Sequence, residues 1–491
     1  MNSISVKGQR FLDDKGRQRI FNGLNFVDKH CLPDEDGVIR YRTALNEETA
    51  AAIAARGMNI VRLGVTWAAI EPEQGKYNTV YLDGVKETLH LCEKHGIYAF
   101  LDWHQDLYSY YCYNAGDGAP KWAVLGPADC RKPFLIWATG YFFGKTVWRS
   151  FDAFWENQPV NGKGLRDSYC DMLAFTADYL KDCPAVMGYD LLNEPFPGTP
   201  GGKIFRKLVK SGVGTVLFHP RVDRKQLAKD ALSGEVMKAL SVADDPKVYH
   251  SVIDSGSGLL YDFDMTRYYP FLQQAAAAIR RVTDRGVIFS ENCYYSNMGI
   301  PCSYPRLTRA DGGVERNFAF APHGYDLTVD TPLTNEASPH RVDHIFGEHE
   351  RTQARLDAPV LVGEWGGMVP GGEKYPALEH LIDKFDRNRW SQTYWHWFDG
   401  MENSKIMEIL SRPYPQAVAG EIKRYGYDRK NGVFTLSYTG SASVKAPTLI
   451  WLPRDPKAVY ATRKYQLNRT ENGLILQVYA GKGESIIKVE W

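Results

Sequence analysis

Eight short apolar runs recur along most of the chain, at residues 20–24, 60–65, 98–103, 186–192, 286–290, 318–321, 360–363 and 392–397. Each has the length and continuity of a strand buried on both faces. Helical patterns lie between most of them. Those at 47–56 and 81–94 stop before Gly57 and Gly96, because glycine ends a helix by adopting the left-handed conformation. Further patterns at 167–180, 270–283 and 375–388 fill later gaps. Strands that alternate with helices pair in parallel, and eight such units predict an α/β fold closed into a (β/α)8 TIM barrel. A barrel of this kind carries its chemistry at the C-terminal ends of its strands.

Two gaps exceed a simple strand–helix step, 106–167 and 195–268. Both follow strand C-terminal ends, so both are expected on the active face as long functional loops. Arg412-Pro413-Tyr414-Pro415 reads as a turn-like break. Beyond it, alternating runs at 432–438, 447–452, 458–463, 474–478 and 485–489 are separated by turn chemistry such as Glu471-Asn472-Gly473. They predict an antiparallel β-sandwich of roughly 80 residues. The expected division is a catalytic barrel over 1–412 and a sandwich over 413–491, in keeping with a chain of 491 residues.

A formal net charge of +1 offers no bulk attraction for nucleic acid. Eight cysteines show neither CxxC nor zinc-type spacing, and Cys92 and Cys170 sit inside helical patterns as ordinary buried hydrophobes. No apolar run is long enough for a transmembrane helix. The first eight residues contain no apolar leader segment. The expected location is the cytoplasm for a chain that starts at Met1, and outside the cell if a leader has been removed.

The fourth run, Asp190-Leu191-Leu192, ends in Asn193-Glu194-Pro195, and the seventh ends in Gly363-Glu364-Trp365. Two strand-end glutamates far apart in sequence predict a facing carboxylate pair, the equipment of glycosidic cleavage. Glu194 is the candidate acid and later base, Glu364 the candidate nucleophile. Asn193 is placed to bond a sugar hydroxyl. Pro195 removes a backbone donor and ends the strand. Glu291, Asp102, Asp106 and Asp190 also close strands and compete for these roles. Aromatic residues make up 13% of the chain, enough to line a sugar cleft as well as a core.

Asn193-Glu194-Pro195 together with Glu364 resembles glycoside hydrolase family 5. The resemblance implies a retaining mechanism, with no metal or organic cofactor. It implies that Arg62 and Tyr325 support the nucleophile and that His104 and His323 belong to the sugar site. It implies that Trp395 floors the site, with Trp397 as the competing choice. Within the family the chain resembles glycosylceramide-cleaving enzymes, on 101–109 (LDWHQDLYS), 118–122 (GAPKW), 151–155 (FDAFW), 190–195 and 412–416 (RPYPQ). This closer resemblance implies that Lys29 and Asp106 hold hydroxyls of the sugar next to the lipid, and that Trp155 binds substrate.

A ceramide leaving group is two alkyl chains and requires an apolar groove. Apolar segments at 133–138, 140–144 and 213–218 are the expected flanks of that channel. The expected partner is a glycolipid, handled by a monomer in transient contact with a membrane or micelle surface. Three rivals stand beside the endo-acting reading. One is an exo-acting glucosidase or galactosidase on a monosaccharide-ceramide or steryl glucoside. Another is an endo-glucanase or mannanase. The last is an inactive carbohydrate- or lipid-binding protein.

Overall fold

The computed structural model describes residues 1–30, 34, 39–127 and 136–491. Eight strands form one parallel sheet: β1 (Asn22–Val27), β2 (Ile60–Val65), β3 (Tyr98–Trp103), β4 (Val186–Asp190), β5 (Val287–Ser290), β6 (Phe318–Phe320), β7 (Leu361–Val362) and β8 (Ser391–Tyr394). Their order is β6-β5-β4-β3-β2-β1-β8-β7. A parallel bridge from Phe320 to Val360 and the pairing of His323–Gly324 with Glu364–Trp365 bring β6 and β7 together. The sheet is therefore the expected TIM-like barrel, and β2 and β3 have the predicted bounds.

Alternation along the strands explains where the polar groups go. Ile60 and Arg62 share one face of β2, Phe100 and Asp102 one face of β3, Phe289 and Glu291 one face at β5. Ile60, Phe100, Met187, Val287, Phe289, Ala319 and Ala321 belong to one buried apolar cluster. The next residues up this face are Arg62, Asp102, Asp190, Glu291 and His323, all fully buried. An apolar plug thus supports a layer of ionisable side chains at the C-terminal end of the barrel.

The chain's first three strands, Ile4–Lys7, Arg10–Asp13 and Gln18–Arg19, do not belong to the barrel sheet. They pair into a seven-stranded antiparallel sheet with Tyr414–Val418, Thr448–Leu452, Gly473–Val478 and Tyr465–Thr470. A four-stranded sheet of Gly420–Asp428, Val433–Gly440, Gly483–Glu490 and Ala458–Ala461 completes the C-terminal β-layers. Ile20, Trp451, Leu476 and Ile487 lie in their shared core. Residues 4–19 were expected in the barrel unit. Their strands pair with the C-terminal sheet, while Ile4 and Phe11 pack in the cluster inside the barrel, with Phe11 edge-on to Phe21 at 5.8 Å. The expected break at 412–415 is also a strand from Tyr414 onward. It tolerates its proline because the register shifts between Pro415 and Ala417.

The gap 195–268 is helical, not a loop, and contains Thr199–Phe218, Arg224–Leu232, Pro246–Ile253 and Ser257–Phe263. The gap 106–167 carries Thr139–Phe143 and Lys145–Trp155. A further helix, Pro339–Leu356, fills the β6–β7 step, where no helical pattern was predicted. Cys92, Cys112, Cys170, Cys183, Cys293 and Cys302 are buried free thiols.

Candidate active site

Arg62 organises the floor of the site. It is fully buried and reaches carboxylates from four other strand ends. Nη1 donates to Glu364 at 2.6 Å, Nη2 to Glu291 at 2.6 Å and Nε to Asp190 at 3.1 Å, while Asp102 lies 2.8 Å from Nη2. Nη1 also donates to Asn25, and Nη2 to Asn193 at 2.9 Å. Burial and the charge of Glu291 push Asp190 well above the usual carboxylate range. Burial alone would raise Glu291 as well, but His323 and Arg62 outweigh it and hold it ionised at about 2. One guanidinium therefore balances a cluster too acidic to stand alone.

This balance sets an expectation. Arg62→Met leaves buried carboxylates without their cation, a change that costs about 3–5 kcal/mol. Thermal unfolding checks it, and a melting temperature equal to the parent's would contradict the assignment of Arg62 as the counter-ion.

Glu194 stands on this floor in an unusual backbone conformation. Its φ is +41°, in the left-handed region that a residue before proline is reluctant to enter. Three contacts hold it there. The Glu194 N–H donates to Glu291 Oε2 at 2.7 Å, and Gln105 Nε2 donates to the carbonyls of Asn193 at 2.9 Å and Glu194 at 3.2 Å. Backbone strain of this kind is kept where the surroundings over-determine it. Asn297 Nδ2 donates to Glu194 Oε1 at 2.5 Å, and His323 Nδ1 lies 3.1 Å from the same oxygen. Burial raises Glu194, and with nearby Glu364 adding to it, its proton is held up to about 7.

Glu364 faces it. Arg62 binds one oxygen, and the Tyr325 hydroxyl donates to the other at 2.8 Å. The nearest ligand atoms of Glu194, His323 and Glu364 all lie within 4.8 Å of one another. Carboxyl groups about 5 Å apart are the spacing of a double displacement through a covalent intermediate, since a wider gap is needed to admit an attacking water.

Lys29, His104, Asp106, Glu194, Tyr325, Glu364 and Trp395 line one cavity of about 320 Å³. Lys29 bonds Asp106, and its Nζ lies 4.6 Å from the Trp395 ring centroid. Trp395 stacks on His104 at 5.6 Å. His104 Nδ1 contacts Asp102 at 2.8 Å, and Asp102 overcomes the effect of burial to push His104 up to about 10. Burial is outweighed at Asp106 too, by Lys29 and His104, which hold it at about 2. Trp397 turns away and stacks on Phe26 at 5.9 Å, so Trp395 is the aromatic wall.

Not every predicted residue reaches the cavity surface. Asn193 and His323 lie in the wall behind the two glutamates, with the Asn193 amide committed to Arg62 and the Gln105 carbonyl. Trp155 is outside the site. Its indole N–H donates to the Phe196 carbonyl at 2.8 Å and its ring packs on Phe263 and Phe271, because it sits on the core-facing side of its helix. Of the apolar segments, Ile136, Trp137, Ala138 and Phe142 line the cavity. Residues 133–135 lie outside the described residues. Residues 213–218 do not line it, since they end a helix whose outer face points away.

Sequence reasoning missed Asn25, Gln105 and Asn297, whose amides tie the catalytic layer together. It also missed Asp330, which accepts from the indole N–H of Trp137 at 2.7 Å across the cavity mouth. No spacing marks them, because their partners come from other strands.

Among the described residues, three buried groups have donor atoms close enough to ligate a cation: His104, Asp106 and Asp117; Glu194, His323 and Glu364; Asp102, Asp190 and Glu291. Protein cations already serve each of them, Lys29 the first, His323 and Arg62 the second, Arg62 the third.

The model of the Cellulase (glycosyl hydrolase family 5) family matches residues 29–217 and 260–400. That of the glycoside hydrolase family 5 C-terminal domain matches 412–489. An endoglycoceramidase of Hydra vulgaris is 25% identical, over 90% of this chain and 79% of the relative. Endoglycoceramidase I of Rhodococcus hoagii is 25% identical, over 92% and 80%. Among solved structures, endo-glycoceramidase II from Rhodococcus sp., in complex with a ganglioside, superposes with a TM-score of 0.72 at 22% identity over 99% of both chains.

Proposed function

The chain belongs to glycoside hydrolase family 5, and from that premise we propose that it cleaves the β-linkage between glycan and ceramide in glycosphingolipids. The facing of Glu194 and Glu364 within 4.8 Å, at the foot of a cavity with one apolar wall, carries this reading. The enzyme is a retaining glycoside hydrolase. Both relatives named above are endoglycoceramidases, and they match nearly the whole chain.

In the proposed reaction the glycan-bearing sugar sits against Trp395, with its hydroxyls at Lys29, Asp106 and His104. Glu364 attacks the anomeric carbon. The bond to the ceramide oxygen breaks, and the proton of Glu194 passes to that oxygen. A glycosyl ester on Glu364 and free ceramide result. Water then enters, gives its proton to Glu194 and attacks the same carbon from the opposite face. The sugar leaves with its original configuration, and both carboxyls return to their starting states. Arg62 and Tyr325 hold Glu364 and stabilise it as a leaving carboxylate in the second step.

Ile136, Trp137, Ala138, Phe142 and Met298 give the cavity an apolar side that a polysaccharide does not need. Burial of each methylene is worth about 0.8 kcal/mol, so a few contacts suffice to seat the ceramide end. Phe142→Ser is therefore expected to lower kcat/KM on lipid substrates by about tenfold or more while sparing a soluble aryl glycoside. Equal losses on both would remove Phe142 from the lipid channel.

A panel of glucosyl-, galactosyl- and lactosylceramide, an oligosaccharide-ceramide and a steryl glucoside tests the function itself. Release of intact lactose and intact oligosaccharide is expected. Activity confined to monosaccharide lipids would replace the endo-acting reading with an exo-acting one.

A further inference from the structure

The helix Thr199–Phe218, 20 residues long, contributes no side chain to the site described above. Ile204, Leu208 and Thr215 form its buried side. Away from them Val209, Val213, Val216, Leu217 and Phe218 are exposed, Val213 to 56% and Phe218 to 79%. The first four fall at helical spacing and make one apolar stripe. Beside it runs a second stripe, Lys203, Arg206, Lys207 and Lys210, all exposed. The helix contains no Asp or Glu. None of the four cations forms an ion pair with a described carboxylate.

The apolar stripe is continuous with the cavity. Phe205, one turn before Val209, stacks on Phe142 at 4.3 Å and meets Phe143 edge-on at 5.6 Å. Phe142 lines the cavity and Phe143 is 56% exposed. An apolar path thus leads from the candidate lipid end of the active site, over Phe142 and Phe205, onto the outer face of the helix.

Unpaired cations beside exposed aliphatic side chains fit one kind of partner best. An anionic bilayer offers phosphates and carboxylates to the lysines, and an apolar layer just beneath for the valines, Leu217 and Phe218. We propose that the helix Thr199–Phe218 docks the protein on an anionic lipid surface and points the lipid end of the active site at it. The orientation rests on the glycolipid reading; the docking does not.

The test is flotation of the whole protein with vesicles of phosphatidylcholine, with and without phosphatidylserine, together with its activity on a soluble aryl glycoside. The protein is expected to float with phosphatidylserine vesicles at low salt and to be released as salt screens the attraction. Each basic residue lost should weaken binding about fivefold, so Lys207→Gln with Lys210→Gln should weaken it roughly 25-fold. Val213→Ser with Leu217→Ser should also weaken it. Both double variants alter only exposed side chains and are expected to keep the parent's rate on the soluble glycoside and its melting temperature.

Failure of the parent to bind phosphatidylserine vesicles at low salt would overturn the proposal. So would binding left intact in either double variant; loss in the lysine variant alone would mark a polyanion site rather than a membrane face. Vesicle binding of the expected kind, without cleavage of any glycosylceramide, would leave the docking standing and defeat the glycolipid reading.

Discussion

Glu364→Gln is expected to leave a folded protein whose kcat is lower by about 10⁴-fold or more on every glycoside, whatever its leaving group. The amide oxygen can still accept from Arg62 Nη1, and the amide NH2 can donate to the Tyr325 hydroxyl oxygen, so both groups now on the two carboxylate oxygens keep a partner. Arg62 also retains Glu291, Asp102 and Asp190. The loss should therefore be chemical, with melting close to the parent's. It should be as large for an activated aryl glycoside as for a glycolipid, since neither can form the glycosyl ester. An unchanged rate would refute the assignment of the nucleophile. Glu291 would not be a simple substitute, because its carboxylate is fully buried and committed to Arg62 and to the Glu194 N–H.

Glu194→Gln should give a different signature. A lipid alcohol is a poor leaving group and needs its proton, so kcat on glycosylceramide is expected to fall by about 10²–10⁴-fold. A dinitrophenyl glycoside needs no such help in the first step, so its glycosylation rate should fall far less. The second step still lacks its base, and glycosyl-enzyme should accumulate as a burst of released phenol. Azide, a nucleophile that requires no proton removal, should then restore turnover and yield a β-glycosyl azide.

The pH profile follows from the same residue. Burial holds the Glu194 proton up to about 7, and only the protonated form can act as the acid. Activity of the parent on a poor leaving group should thus decline above about pH 7, by tenfold per unit once titration is complete. Glu194→Gln should lack that limb on the dinitrophenyl glycoside. Equal losses on lipid and activated aryl substrates, or a retained limb, would contradict the role given to Glu194.

The barrel was legible because its strands are buried on both faces and read as continuous apolar runs. Residues 60–65 and 98–103 show this best, since each run is bounded by residues unlike it. Asn193-Glu194-Pro195 and Glu364 stood out for the same reason, as polar ends to apolar strands. The structure places both side chains in one cavity with Lys29, His104, Asp106, Tyr325 and Trp395.

What stayed hidden depends on contacts between distant segments. Asn297 and Gln105 hold Glu194 through bonds to partners 103 and 89 or fewer residues away, and no local pattern reports such a bond. Strands at 4–7, 10–13 and 18–19 are short, and pairing of the last with Tyr414–Val418 fixes their sheet. Trp155 was drawn to the substrate by its motif, although its helix turns it into an aromatic core. Residues 213–218 were apolar enough to suggest a lipid channel, and helical periodicity instead puts them on the outer surface.

Trapping of the covalent intermediate tests the central claim most directly. A 2-deoxy-2-fluoro-β-glycoside with an activated leaving group slows both steps, and slows hydrolysis of the ester more than its formation. Incubation with the parent protein should add one fluoroglycosyl mass, and peptide mapping should place it on Glu364. A label on Glu194 or Glu291, or time-dependent turnover with inversion of configuration and no adduct, would contradict the account.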